Sequence, residues 1–197
     1  MLEGLDWVLG LRESYGIRIV NISVGIGSLK ESEKERLLQD RMEELWREGI
    51  LVVCAAGNKG PKEGSISAVG GSRVVTVGCY DGSFAIGNPR NCELYSGRGV
   101  SGSPIRKPDI VAPGTAIVSC GMNFRGSRGM GGYGYLTKSG TSMATPVVAG
   151  AAALAFQTYP GMTNEECKRR LQFSATDLGL PWNRQGWGLL NVGRLLD

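Results

Sequence analysis

The chain has 197 residues, enough for one domain with a sizeable core, and 42% hydrophobic with 20% charged residues exclude a disordered polymer. A formal net charge of +4 without a dense Lys/Arg run argues against nucleic acid as the partner, and no apolar run is long enough to cross a membrane. There is no histidine at all, which constrains every catalytic reading. Arg98, Arg106, Lys107, Arg125 and Arg128 make the middle loops mildly basic, as a solvated face would be.

Residues 2–15 carry Leu2, Leu5, Val8, Leu9 and Leu11 at near-helical spacing, and Gly16 stops the pattern. Residues 17–24 are rich in β-branched side chains and predict a buried strand. The sequon Asn21-Ile22-Ser23 is discounted, because a strand core is the wrong place for a glycan. Residues 25–28 form a loop, and 31–48 a charged helix whose apolar face is Leu37, Leu38, Met42, Leu45 and Trp46, ended by Gly49. Residues 50–56 are a second buried strand. Strand, helix and strand make a βαβ unit with parallel strands, whose ligands bind beyond the carboxyl ends, here 23–27 and 55–58.

A third strand spans 73–79, and 83–108 are irregular. Two short strands flank the turn near Pro113-Gly114, and a glycine-rich loop covers 121–134. Within that loop Gly129 to Gly134 formally match a dinucleotide-binding GxGxxG, but no strand precedes them and no helix opens there, so the match is rejected. A buried helix follows from Ser142 to Tyr159. Thr163 and Glu166 predict a capping box for another helix running to about Phe173, and the apolar tail 186–192 packs on the core. No repeat or linker divides the chain, so residues 1–197 read as one domain.

The five cysteines (Cys54, Cys79, Cys92, Cys120, Cys167) are scattered, odd in number and without a CxxC pair, so no metal site is expected. Cys54 and Cys79 sit in strand patterns and read as buried thiols. This usage, with no signal peptide in the chain, leans towards a cytoplasmic location that is otherwise open.

The chemistry concentrates at Ser139-Gly140-Thr141-Ser142-Met143-Ala144-Thr145-Pro146, a turn that runs into small apolar residues. It sets Ser142 at a helix amino end, where N–H groups lack partners and the dipole favours developing negative charge. The simplest role there is an N-cap; the richer one is a nucleophile. Asn58, after the second strand, is either a turn residue or a side-chain donor. Acyl transfer needs donors aimed at the tetrahedral oxygen, and the Ser142 N–H and Asn58 amide make such a pair.

At these residues the chain resembles the subtilisin-like serine proteases, or subtilases. Gly140 to Pro146 with Val148-Ala149-Gly150 resemble the nucleophile motif, and Ala55-Ala56-Gly57-Asn58 the oxyanion-hole segment. Lys107 to Gly114, Asn21 to Gly25 and Gly188 to Val192 resemble further family segments, so the likeness covers essentially the whole chain. It implies an α/β fold in three layers, a mostly parallel sheet flanked by helices, with the N-terminal strands missing. Ser142 would be the nucleophile and Asn58 the oxyanion donor. Ser23, Val24, Gly25, Ala55, Ala56 and Gly57 would flank an extended peptide or protein substrate and pair with its backbone. No cofactor is evident; calcium is implied by the resemblance alone.

The departure is decisive. Subtilisin carries its Asp and His roughly 190 and 160 residues before the serine. Here 141 residues precede Ser142, and none is histidine. Asp109 matches a structural segment rather than the triad acid, and Val147 stands where many subtilases have a non-catalytic histidine. Lys138 is a remote candidate for a substitute base. The expected function is therefore a serine endopeptidase whose Asp and His come from a missing N-terminal segment or a partner chain, the chain alone being inactive. The alternative is a peptide-binding pseudo-protease or a truncated remnant.

Overall fold

The computed structural model describes residues 1–24, 33–67, 71–82, 87, 91–121 and 134–197, Lys34 as backbone only. Helix α1 (Leu2–Tyr15) ends at Gly16, whose φ of 60° is the left-handed geometry that closes a helix. Strand β1 (Ile19–Ile22), helix α2 (Glu33–Arg47) and strand β2 (Leu51–Ala55) follow. Strands β3 (Val75–Cys79) and β4 (Ile110–Ala112) complete a four-stranded sheet of order β1-β2-β3-β4, parallel throughout. Strands β5 (Ile117–Cys120) and β6 (Tyr135–Lys138) form a separate antiparallel ribbon. The chain closes with helices α3 (Thr141–Thr158), α4 (Asn164–Ser174), α5 (Trp182–Gln185) and α6 (Val192–Leu196). Among the described residues no helix is long and apolar enough to cross a membrane.

Strand periodicity divides the core into two layers. Leu51, Val53, Val75, Val77, Ile110 and Ala112 point to one face, where Ala144, Val148, Ala151, Ala152 and Ala155 of α3 meet them. Val52, Cys54 and Val74 point to the other, against Leu38, Met42 and Leu45 of α2 and Leu5 of α1. A parallel sheet covered on both faces reads as continuous apolar runs, which is why β2 and β3 are buried at every residue. Each fully buried Leu, Ile or Val side chain contributes roughly 1.5–3 kcal/mol by leaving water. The alanines of α3 let that helix lie close to the sheet, touching β1, β2, β3 and β4, so its first turn is held against the strand ends.

Several expectations are refined. The strand expected at 17–24 is shorter and only partly buried: Ile22 is in the core, but Ile19 and Val20 are half-buried and Asn21 exposed, because β1 is the sheet's edge. Leu37, assigned to the apolar face of α2, is 47% exposed. The second short strand expected after Gly114 is present as β5, but it leaves the main sheet and pairs with β6, which the sequence pattern did not reveal. The loop at 25–28 and the rejected glycine motif at 129–133 lie outside the described residues. The capping box of α4 forms as expected, the Thr163 hydroxyl accepting from Glu166 N–H at 3.2 Å and the Glu166 carboxylate accepting from Thr163 N–H at 2.7 Å. The tail packs beside β4, with Leu190 N–H donating to the Val111 carbonyl at 2.9 Å.

The cysteine reading needs one correction. Cys54 is a buried thiol, but Cys79 is joined to Cys92 in a disulfide, their Cα atoms 5.9 Å apart. The 13-residue spacing carries no recognisable pattern, and only the return of the chain at 91–96 to the end of β3 brings the two together.

Charge is also buried under the sheet. Lys107 Nζ lies 2.5 Å from Asp109 Oδ2 and donates to the Val74 carbonyl, while the same carboxylate oxygen accepts from Thr76 N–H at 2.7 Å. This satisfies Asp109 as a structural residue. Removing one partner of a buried pair strands the other, at about 3–5 kcal/mol. Asp109→Ala should therefore lower the unfolding free energy by about that amount in urea titration, with a smaller loss in the apolar double variant Lys107→Met/Asp109→Leu. Lys168 Nζ is 3.8 Å from the other Asp109 oxygen and sits between the rings of Trp46 and Trp187. Burial lowers its ammonium to about 8, the Asp109 charge opposing the shift. The unfolded chain then holds this proton up to about 10.5 while the folded one releases it near 8, so the Lys168 contribution to stability rises from about pH 8 to about pH 10.5. The difference in unfolding free energy between the parent and Lys168→Met across that window should show this rise.

Candidate active site

Ser142 is the second residue of α3, half-buried, on a turn built from Gly114, Asn58 and Gly140. Gly140 precedes the helix with φ 144° and ψ 166°, a conformation open to glycine and strained for any residue with a Cβ. Its N–H donates to the Gly114 carbonyl at 2.9 Å. A Cβ on Gly140 would also come within 3.0 Å of Asn58 Nδ2, so glycine lets the asparagine amide approach.

Asn58 lies just past the end of β2. Its Oδ1 accepts from Thr141 N–H at 3.0 Å and from the Thr141 hydroxyl at 3.1 Å. With Oδ1 so engaged, the Nδ2 group is the half left to donate, and Asn58 itself is solvent-exposed. Thr141 is fully buried and works in both directions, its hydroxyl also accepting from Gly57 N–H at 3.1 Å. The strand end carrying Asn58 and the helix start carrying Ser142 are thus pinned together through one hydroxyl. The Ser142 N–H, near the helix start, has no acceptor within the helix. Two donors, the Ser142 N–H and the Asn58 amide, therefore flank the turn that carries the serine oxygen.

The helix is modified where it serves this turn. Pro146 lacks the N–H that would otherwise bond the Ser142 carbonyl. Thr145, buried, donates its hydroxyl to the Thr141 carbonyl at 2.7 Å.

The expected substrate-flanking residues divide into two groups. Ser23 and Val24 continue beyond the Ile22–Cys54 pair at the sheet edge; Ser23 is half-buried, and Val24 is 55% exposed. Gly25 lies outside the described residues. Ala55 and Ala56 are buried, and the peptide N–H groups of Ala56 and Gly57 are committed, to the Val77 carbonyl at 2.8 Å and to Thr141 respectively. With Ala55 they make a run of small residues in which Ala56 and Gly57 have no N–H left to offer. Gly57 cannot carry a side chain, since its Cβ would fall 1.7 Å from Ser67 Oγ.

Other groups are less suited to the chemistry. Burial pushes the Cys54 thiol up to about 12, which excludes it as a rival nucleophile. Lys138 is exposed on β6, paired in register with Ile117, with no hydrogen bond to Ser142 among the described residues. Calcium takes six to eight oxygen ligands. Among the described residues the one group of three candidate ligands is Cys79, Asp81 and Cys92, a sulfur-rich set that does not fit calcium. The residues that the sequence analysis missed are Thr141 as the clamp and Gly114 as the anchor of the turn.

Comparison with known proteins shows what family carries this fold. The sequence model described as the subtilase family covers residues 1–188. The chain belongs to the subtilase family. It is 37% identical to serine protease AprX of Bacillus subtilis over 184 residues, covering 87% of this chain and 41% of that protein. It is 32% identical to a subtilisin of Bacillus pumilus over 194 residues, covering 98% and 60%. Among solved structures, sphericase superposes with a TM-score of 0.77 at 26% identity, and the S41 psychrophilic protease with 0.77 at 29%, each covering 97% of this chain and 62% of the other. The subtilase chain described here spans about two-fifths to three-fifths of these two relatives.

Within this subtilase site the Thr141 hydroxyl is the element most open to direct test. Thr141→Val leaves the buried Gly57 N–H without an acceptor, which costs about 1–3 kcal/mol. Denaturant titration should show that loss for Thr141→Val and a much smaller one for Thr141→Ser, which keeps the hydroxyl.

Proposed function

We propose that this chain supplies the nucleophile and oxyanion half of a serine endopeptidase site. The observation that carries the reading is the Asn58 carboxamide bonded to Thr141, the residue before Ser142 at a helix start. Ser142 Oγ attacks the scissile carbonyl carbon, and the oxygen that becomes negative accepts hydrogen bonds from the Ser142 N–H and Asn58 Nδ2. Collapse expels the amine and leaves an acyl-enzyme on Ser142, which water then hydrolyses. Ser23 and Val24, just past the edge strand, receive the extended peptide, with Gly25 following them in sequence, while Ala55, Ala56 and Gly57 wall the pocket beside it.

The proton from Ser142 needs a base. The sequence holds no histidine, and its relatives are longer than the chain, which supports a His and an Asp supplied by an upstream segment or a partner chain. Serine without its base is a weak nucleophile; proteases stripped of a triad member keep only about 10³–10⁴-fold acceleration over water, a range measured in serine proteases including subtilisin. The 197 residues alone should therefore cleave peptides negligibly. The absence of histidine equally favours the second reading, a groove that binds extended peptides without cutting them.

Two assays separate these readings. In the protein isolated from its native source, the endopeptidase reading predicts hydrolysis of a fluorogenic peptide that Ser142→Ala abolishes. Asn58→Ala should lower kcat roughly 10²–10³-fold with KM little changed, the magnitude known for this donor in subtilisin itself. Binding of the same peptide without turnover would favour the pseudo-protease. Robust cleavage by the purified 197-residue chain, lost in Ser142→Ala, would show that no outside base is needed.

A further inference from the structure

Asp81 sits between the disulfide and the nucleophile turn. Its Oδ1 accepts from Gly114 N–H and Thr115 N–H, both at 2.9 Å, and its Oδ2 from the Thr115 hydroxyl at 2.5 Å. The same Oδ2 lies 3.2 Å from Cys79 Sγ and 3.5 Å from Cys92 Sγ. A carboxylate oxygen aimed at two bonded sulfurs gains nothing from them, because a disulfide offers lone pairs and no proton. The contact becomes favourable in two ways: two thiols donating to the oxygen, or a cation held by all three atoms. We propose that Cys79, Asp81 and Cys92, once the disulfide is reduced, form a binding site for a thiophilic divalent cation of the Zn²⁺ type.

The donor set and the oxygen-to-sulfur distances fit, and the two sulfurs, bonded to each other in the oxidised form, must part on reduction to admit the ion. Zn²⁺ takes tetrahedral sulfur and oxygen ligands at about 2.3 and 2.0–2.2 Å, which puts the oxygen about 3.5 Å from each sulfur. Two thiolates and a carboxylate suit a soft dication far better than calcium or magnesium. The three ligand atoms all lie within 4.8 Å of one another; Cys79 and Cys92 are buried and Asp81 is half-buried. The partners that orient metal ligands are in place as well, with Thr115 fixing both carboxylate oxygens and accepting from Cys92 N–H at 2.9 Å.

Disulfide and metal are mutually exclusive. Reduction by a phosphine breaks the S–S bond, consumes one water, and yields two thiols and a phosphine oxide. Binding then transfers the two thiol protons to solvent as two Zn–S bonds form. The site adjoins the active turn through one residue. A Cβ on Gly114 would fall 2.9 Å from Cys79 Sγ, 3.1 Å from Cys92 Sγ and 2.8 Å from the Gly140 carbonyl oxygen.

The test uses the whole chain in two metal-free forms, phosphine-reduced and oxidised, titrated with Zn²⁺ against a chromogenic chelator and with Co²⁺ by absorption. The expected result is one ion per reduced chain, a sulfur-to-cobalt charge-transfer band, and no binding by the oxidised form. Cys120→Ser should leave binding intact, Cys92→Ser and Asp81→Asn should abolish it, and Thr115→Val should weaken it about 10–100-fold. A reduced chain that retains its thermal transition but binds neither ion overturns the proposal. So does binding that survives in Cys92→Ser or, should that variant fail to fold, in Asp81→Asn.

Discussion

One buried hydroxyl holds the candidate site's geometry together. Thr141 Oγ1 accepts from the peptide after β2 and donates to the asparagine beside it, while its own N–H is capped by that same asparagine. The segments it joins are separated by more than eighty residues, so nothing local fixes them. Three hydrogen bonds among four polar atoms satisfy the buried groups of Thr141 and Gly57, and the cost of leaving any one of those groups unpaired enforces the arrangement. The orientation of the Asn58 amide follows: its oxygen is engaged by Thr141, which leaves the nitrogen half free to donate elsewhere.

The rest of the fold serves that clamp. A parallel sheet sends all its carboxyl ends to one side, so Ile22 and Cys54, paired in register, deliver Ser23 and Asn58 to the same edge. The small residues of α3 bring its axis near the sheet, and contact with all four strands leaves its first turn little freedom to slide. Below the sheet, Lys107, Asp109 and Lys168 hold β3, β4 and α4 by charge in a region that apolar packing alone would leave unspecific. Above it, Gly114 sits between the Cys79–Cys92 pair and Gly140 and carries position from one to the other through contacts too close for a side chain.

Much of this was legible in the chain itself. The fully buried strands β2 and β3 show as continuous apolar runs, and the capping residues Thr163 and Glu166 announce α4 three residues apart. Ser142 and Asn58 stood out as candidates because Gly140 to Pro146 and Ala55 to Asn58 resemble family segments, and the structure brings the two segments together at one turn. What sequence pattern missed depends on tertiary neighbours. The exposure of Asn21 follows from the place of β1 at the sheet edge, which no residue encodes alone. The ribbon strand β6 is short and exposed at every residue, so it lacks the apolar alternation that marks a strand. Thr141 carried no signal beyond its place in the motif, and the pairing of Cys79 with Cys92 appears only once the chain has folded back.

The central claim is that Ser142 is a nucleophile whose proton is taken by a base outside these 197 residues. The most direct test is covalent labelling with a serine-directed phosphonate ester in the native source, followed by peptide mapping and the intact mass of the labelled species. The account predicts label on Ser142, in a species heavier than 21.0 kDa or tightly associated with a second chain that carries histidine. Label on Ser142 in a free 21.0 kDa chain, or no label on the folded protein at all, would contradict it.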